Sequence, residues 1–255
     1  MFGLCYEIKM EYNQYNEIQS VDYNFCLQNF CIPCDDLRKK WNQKKTQWGN
    51  KIGEIDNIVA YSNLGDANIL NKSKDEYLYQ NQTNKNLFVE KIYIGQKYQC
   101  VHYARNFWIQ YFDSYFGSVN TADQIFYLEY GYDIMKNKSY PLQKFSNGKT
   151  DIPKFGDLLI WEKNKETYPN GHVAVVLNIE INSLYPHILI AEQNYDQIWD
   201  AKHFSRALKV KLSKNEEVRV ESIRQIFPGM EDYKCKEKLN VAEGEILGWV
   251  RLKIQ

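Results

Sequence analysis

Cys100 stands at the head of a helical pattern, a placement that can make a cysteine nucleophilic. Gly95 and Gln96 read as loop ahead of Tyr98-Gln99-Cys100-Val101-His102-Tyr103-Ala104-Arg105. Behind the cysteine, Ala104, Phe107, Trp108, Tyr111 and Tyr115 recur at spacings of three and four. That spacing gives the apolar stripe of a helix of roughly 15 residues. The first backbone N–H groups of a helix lack partners within it and carry partial positive charge, so a thiolate there is stabilised. A free cysteine is also a small buried hydrophobe, so the nucleophile reading needs a base within reach.

The chain has four histidines, His102, His172, His187 and His203. His172 follows Pro169-Asn170-Gly171 and opens the apolar run Val173-Ala174-Val175-Val176. Residues 171–180 and 187–194 read as a hairpin whose paired positions sum to roughly 366. In that register residue 194 lies opposite His172 and residue 192 lies diagonally beside it. Glu192 and Asn194 share a face and can offer His172 a carboxylate and an amide, whereas a one-residue slip turns both away. A base needs such a third group to hold its tautomer and stabilise its charged form. Gln99, just before the cysteine, can supply an oxyanion donor beside the Cys100 N–H, or be a plain loop residue.

These side chains need a helix and a sheet to hold them. From Phe155 onward the chain reads as consecutive strands: 158–161, 173–177, 188–191, 208–212, 218–222 and 246–252, with Ser213–Glu216 as a hairpin turn. A strand is expected at 58–62. Residues 119–135 read as a second helix, with Ala122, Ile125, Phe126 and Tyr130 on one side and Asn120 or Thr121 as its cap. Residues 70–90, rich in Asn, Lys and Asp, read as surface loop with a strand near 87–89. The sum is an α+β fold, with helices in the first half packed on an antiparallel sheet.

Residues 1–46 form a region of their own, Tyr- and Asn-rich and holding Cys5, Cys26, Cys31 and Cys34. Cys31-Ile32-Pro33-Cys34 lacks the βαβ setting of a redox pair. A zinc site would need Cys5 and Cys26 to complete it, so small buried thiols are the simpler reading and no metal or cofactor is expected. Asp35–Trp41 reads as a short helix, acids first and bases last, and the region is a candidate surface for a protein partner. The chain of 255 residues has zero formal net charge and 44% hydrophobic residues. Nothing there points to nucleic acid. No apolar run approaches ~18 residues, so no membrane span is expected. The start lacks a basic flank and an apolar core, so a cytoplasmic location is expected, with an organellar assembly as the other one considered.

Five motifs occur in order: Gln99-Cys100-Val101-x-Tyr103-Ala104-Arg105, Gly156-Asp157-Leu158-Leu159-Ile160-Trp161, Gly171-His172-Val173-Ala174-Val175-Val176, Ala191-Glu192-Gln193-Asn194 and Ile246-Leu247-Gly248-Trp249. Together they resemble the CHAP domains (cysteine- and histidine-dependent amidohydrolase/peptidase). Within them they resemble the amidase halves of glutathionylspermidine synthetase/amidases and trypanothione synthetases. The resemblance covers about residues 47–255; residues 1–46 have no counterpart and 195–245 match poorly. It implies a papain-like fold and a thiol amidase acting on a small glutathionyl-polyamine or peptide-like amide. Cys100 would be the nucleophile, His172 the base and Glu192 its orienter, with Asn194 as polar support and Arg105 contacting the glutathionyl part. No ATP-grasp segment is seen, so ATP-dependent ligation is not expected. The alternatives are a structural or assembly subunit that keeps the fold with little or no turnover, and, ranked last, a peptidoglycan amidase.

Overall fold

The computed structural model describes residues 8–12, 18–23, 47–64, 74–83, 86–195, 199, 203–225 and 244–253. The chain divides into two compact units, one of residues 1–45 and 223–241, the other of residues 46–222 and 242–255. In the first, strands β1 (Ile8–Tyr12) and β2 (Ile18–Tyr23) pair antiparallel. Cys5, Cys26, Cys31, Cys34, Cys235 and the expected helix at Asp35–Trp41 lie outside the described residues.

The second unit opens with two hairpins. Strands β3 (Lys51–Ile55) and β4 (Ile58–Tyr61) form one, turning through Asp56 and Asn57, both at positive φ. Strands β5 (Lys74–Thr83) and β6 (Asn86–Gln96) form the other. The expected loop over 70–90 is therefore mostly strand. β5 is mostly polar and carries no alternating apolar mark; it is set by backbone pairing with the more apolar β6.

Helix α1 (Cys100–Phe112) follows a tight turn after β6. It is buried nearly all round, at Tyr103, Ala104, Phe107, Trp108 and Ile109 among others, as befits an interior helix. It stops at Asp113, whose left-handed conformation lets its N–H bond to the Trp108 carbonyl. Tyr115, expected on the helical stripe, lies instead in β7 (Ser114–Phe116).

The expected helix over 119–135 is replaced by a short 3-10 helix, Ala122–Tyr127, and by strand β8 (Tyr130–Asp133). Tyr130 and Tyr132 are exposed and stand on one face of β8, while Gly131 between them is buried. A Cβ on Gly131 would come within 2.8 Å of Leu252. Close strand packing over a glycine thus overrides the helical spacing of the neighbouring aromatics. Strand β9 (Lys138–Ser146) completes this meander.

The remaining strands are β10 (Leu158–Trp161), β11 (His172–Glu180), β12 (His187–Ala191), β13 (Arg206–Leu212), β14 (Val218–Arg224) and β15 (Ile246–Leu252). They join β7–β9 in a nine-stranded sheet of order β14-β13-β12-β11-β10-β15-β9-β8-β7. Antiparallel pairing runs through it from β13 to β7. Its middle is buried on both faces: every residue of β10 and β12 is buried, as are the first six of β11. One face gathers Leu159, Trp161, Ala174, Val176, Ile188, Ile190 and Leu208 into a core, and α1 packs on β11. Among the described residues the fold is mostly antiparallel sheet with few helices, and helices of the first half layered on the sheet reduce to α1 and the 3-10 turn. No helix among the described residues is long and apolar enough to cross a membrane.

Two glycines fix where α1 meets the sheet. Gly156 adopts φ +82°, and a Cβ there would fall 2.3 Å from the Phe112 ring. Its carbonyl accepts a 2.7 Å hydrogen bond from the Trp108 indole. Gly171, just before β11, has φ +65°, and a Cβ there would meet the Asp123 backbone nitrogen at 2.6 Å. The 3-10 helix thus closes against the turn that launches His172, and Ala122 N–H bonds the Asn170 carbonyl at 2.7 Å.

Candidate active site

Cys100 is the first residue of α1, and Gln99 is its N-cap, with extended backbone and no side-chain cap bond. The first turn therefore keeps N–H groups for another acceptor. The sulfur takes backbone hydrogen bonds from Val101 and Val173 and a side-chain hydrogen bond with His172. Burial pushes the thiol up, but the His172 charge and these hydrogen bonds outweigh it and hold Cys100 below its ordinary value.

His172 opens β11, paired across the ladder with Trp161. Its Nε2 lies 2.7 Å from Glu192 Oε2, both side chains being 2% exposed. With Nε2 turned to the carboxylate, Nδ1 is the ring nitrogen left for the sulfur. Burial disfavours the charged ring, yet Cys100 first and Glu192 second raise His172 to about 9. Cysteine lowered and histidine raised describe a thiolate–imidazolium pair, whose two titrations belong to the pair. Tyr168 stacks on the imidazole at 5.1 Å, and Trp161 meets it edgewise at 5.3 Å.

The β11–β12 register explains how Glu192 arrives. Val175 pairs with Ala191 and Val176 with Ile190, sums of 366 as expected. Past a bulge between Val176 and Asn178 the sums become 367, away from the site. Glu192 follows the last residue of β12 directly, diagonal to His172.

Its carboxylate is fully engaged. Oε1 accepts from Ser205 Oγ at 2.8 Å and Arg206 Nε at 2.5 Å; Oε2 accepts from Arg206 Nη2 at 2.8 Å besides His172. Burial alone would raise Glu192, but Arg206 first, then His172, hold it far below the usual carboxylate range. Trp199 Nε1 adds a 3.0 Å bond to the Glu192 carbonyl. Ser205, Arg206 and Trp199 were not singled out in the sequence. Arg206 begins a strand read as starting at Leu208, and a charged strand end ordinarily faces water.

Asn194 turns elsewhere than expected. It sits at φ +60°, and its Nδ2 donates to Gln99 Oε1 at 2.5 Å while its Oδ1 accepts from Asn63 Nδ2. The left-handed backbone carries its amide off the direction of the strand, so the amide expected beside His172 braces Gln99 instead. Gln193 accepts from Tyr61 N–H at 2.7 Å and donates to the Gln99 carbonyl at 3.4 Å, tying β4 to the start of α1.

Arg105 is also placed differently. It is 1% exposed. Its guanidinium donates to the carbonyls of Phe116 at 3.0 Å, Tyr93 at 3.4 Å and Gly117 at 2.8 Å, and lies over the Phe116 ring at 4.7 Å. Burial lowers it to about 10. The fork expected to grip a substrate carboxylate instead ties three loop and strand carbonyls to α1.

Two curated relatives align with this chain: the bifunctional glutathionylspermidine synthetase/amidases of Escherichia coli (strain K12) and Shigella flexneri. Each is 34% identical over 122 residues, 48% of this chain. The chain spans about a fifth of their length, 19%. Residues 91–194, the stretch that brings Cys100, His172 and Glu192 together, match the model of the CHAP domain.

Proposed function

We propose that this chain is a cysteine-dependent amidohydrolase in which Cys100, His172 and Glu192 act as nucleophile, base and orienter. The observation that carries the reading is the unbroken buried chain from the Cys100 sulfur through the His172 ring to the Glu192 carboxylate. The Cys100 thiolate attacks the amide carbonyl carbon, forming the C–S bond and pushing the carbonyl electrons onto oxygen. The Cys100 N–H and the Gln99 side-chain amide are the donors for that oxyanion, with Asn194 fixing the Gln99 carboxamide through its oxygen. The imidazolium of His172 gives its proton to the leaving nitrogen, the C–N bond breaks, and a thioester remains. His172, now neutral, takes a proton from water as the hydroxyl adds to the thioester. The C–S bond breaks, the acid is released, and the thiolate–imidazolium pair returns.

The relatives' names and the aligned stretch favour a glutathionylspermidine-like amide as substrate. The test is hydrolysis of glutathionylspermidine, and of simpler γ-glutamyl and glycyl amides, by the purified chain. Free polyamine or amine is expected from the wild type and not from Cys100→Ala. Equal rates in both would remove Cys100 from the reaction. A Cys100 inert to alkylation, in a chain that copurifies in a stoichiometric complex, would favour the assembly-subunit reading instead.

A further inference from the structure

Beyond the three residues just named, and resting on their reading as a thiol site, we propose that Arg206 is a positioning residue: it locks Glu192 as an ionised acceptor and cancels its charge, so that the thiolate–imidazolium pair forms within a buried, hydrogen-bonded group of four side chains that carries no net charge.

Arg206 lies twelve positions past the segment that matches the CHAP model. Its side chain is 0% exposed. It grips Glu192 with Nε on one oxygen and Nη2 on the other, and its guanidinium lies 3.5 Å over the Tyr195 ring. With Ser205 and His172 this gives the carboxylate four donors, one for each lone-pair direction. The carboxylate plane is thereby fixed, and with it the Nε2–H orientation of His172 that leaves Nδ1 for sulfur.

The charge count is the second consequence. Cys100 and Glu192 are negative and His172 and Arg206 positive, all four buried. The other titratable groups around His172 are the tyrosine rings of Tyr168 and Tyr195, and Asp123 lies against the neighbouring Gly171. Without the guanidinium this group would be left with two anions against one cation once the thiolate formed, which low polarity disfavours. A lone buried carboxylate beside a neutral imidazole would also tend to take up a proton, and so become a donor where His172 needs an acceptor.

The test is the pH dependence of Cys100 carbamidomethylation by iodoacetamide, read on the Cys100 peptide by mass spectrometry, together with amide turnover. It uses the full chain as wild type, Arg206→Lys, Arg206→Met and the double variant Glu192→Gln/Arg206→Met. In Arg206→Met the acid-side inflection is expected to move up by about one pH unit or more. The double variant, neutral at both positions, is expected to bring it most of the way back. Arg206→Lys keeps the charge and loses the planar fork, so its inflection should stay in place while turnover falls about tenfold or more. An unmoved inflection in Arg206→Met, or wild-type turnover in Arg206→Lys, would overturn the proposal. If Arg206→Met does not fold, Arg206→Lys decides it. A wild-type chain whose inflection sits at the ordinary thiol value would sink the amidohydrolase reading itself, a separate outcome.

Discussion

The imidazole of His172 is where two opposed influences meet. Burial pulls its proton off; the sulfur beside it and the carboxylate behind it hold the proton on, and they prevail. The working form needs a proton on His172 and none on Cys100. A raised histidine loses that proton as pH rises through about 9. A lowered thiol regains its proton only as pH falls below its ordinary range. Turnover is therefore expected to follow a bell, with its acid limb below the ordinary thiol range and its alkaline limb near pH 9. A kcat/KM profile of amide hydrolysis checks this, and an alkaline limb near the ordinary histidine value of about 6.5 would contradict it. The adjacency of Cys100, His172 and Glu192 was legible because each rests on local patterning: a helix start, a strand start and a hairpin register. Arg206 was not legible. Only an ion pair made between the neighbouring strand ends of β12 and β13 gives a buried place to a charge that, in sequence, looks destined for water.

Helix α1 carries the nucleophile, and its seat depends on contacts made by residues that do no chemistry. Arg105, on α1, draws together the end of β6, β7 and the loop after it through three carbonyls. Replacing it by Met leaves those acceptors without their donor and is expected to cost about 2–4 kcal/mol of stability. Thermal or denaturant unfolding reads that loss, and KM for amide substrates should be unchanged among the molecules that remain folded. A raised KM with intact stability would instead restore the substrate-contact role expected from sequence. α1 itself was legible, as were the core strands β10, β11, β12 and β15, because apolar runs and periods mark them. β5, β8 and β9 were not. β8 is set by a glycine packed against Leu252, and β5 by backbone pairing with β6, neither of which leaves a period in the residues.

Across the larger unit, the site is assembled from chain segments far apart. Asn63 and Tyr61 of the β3–β4 region reach Asn194 and Gln193, and those two hold Gln99. Trp199 lies against Gly53, where a Cβ would fall 2.1 Å from its ring, and bonds the Glu192 carbonyl. The segment matching the CHAP model is therefore braced from both sides of the sequence. Asn63→Ala removes one donor from Asn194 and loosens the Gln99 carboxamide. A fall in kcat of about threefold to tenfold, with little change in the alkylation rate of Cys100, is expected. Alkylation slowed in parallel would place the effect on the nucleophile and not on the oxyanion donor.

The sheet order carries a consequence for biosynthesis. β15, read from residues 246–252, sits between β10 and β9. Until the ribosome has released that stretch, β10 and β9 each present a raw edge of unpaired backbone, and β10 is wholly apolar in sequence. The nascent polypeptide must therefore wait with its two half-sheets apart, and it is then that a chaperone, or a second copy, has a strand-shaped gap to fill.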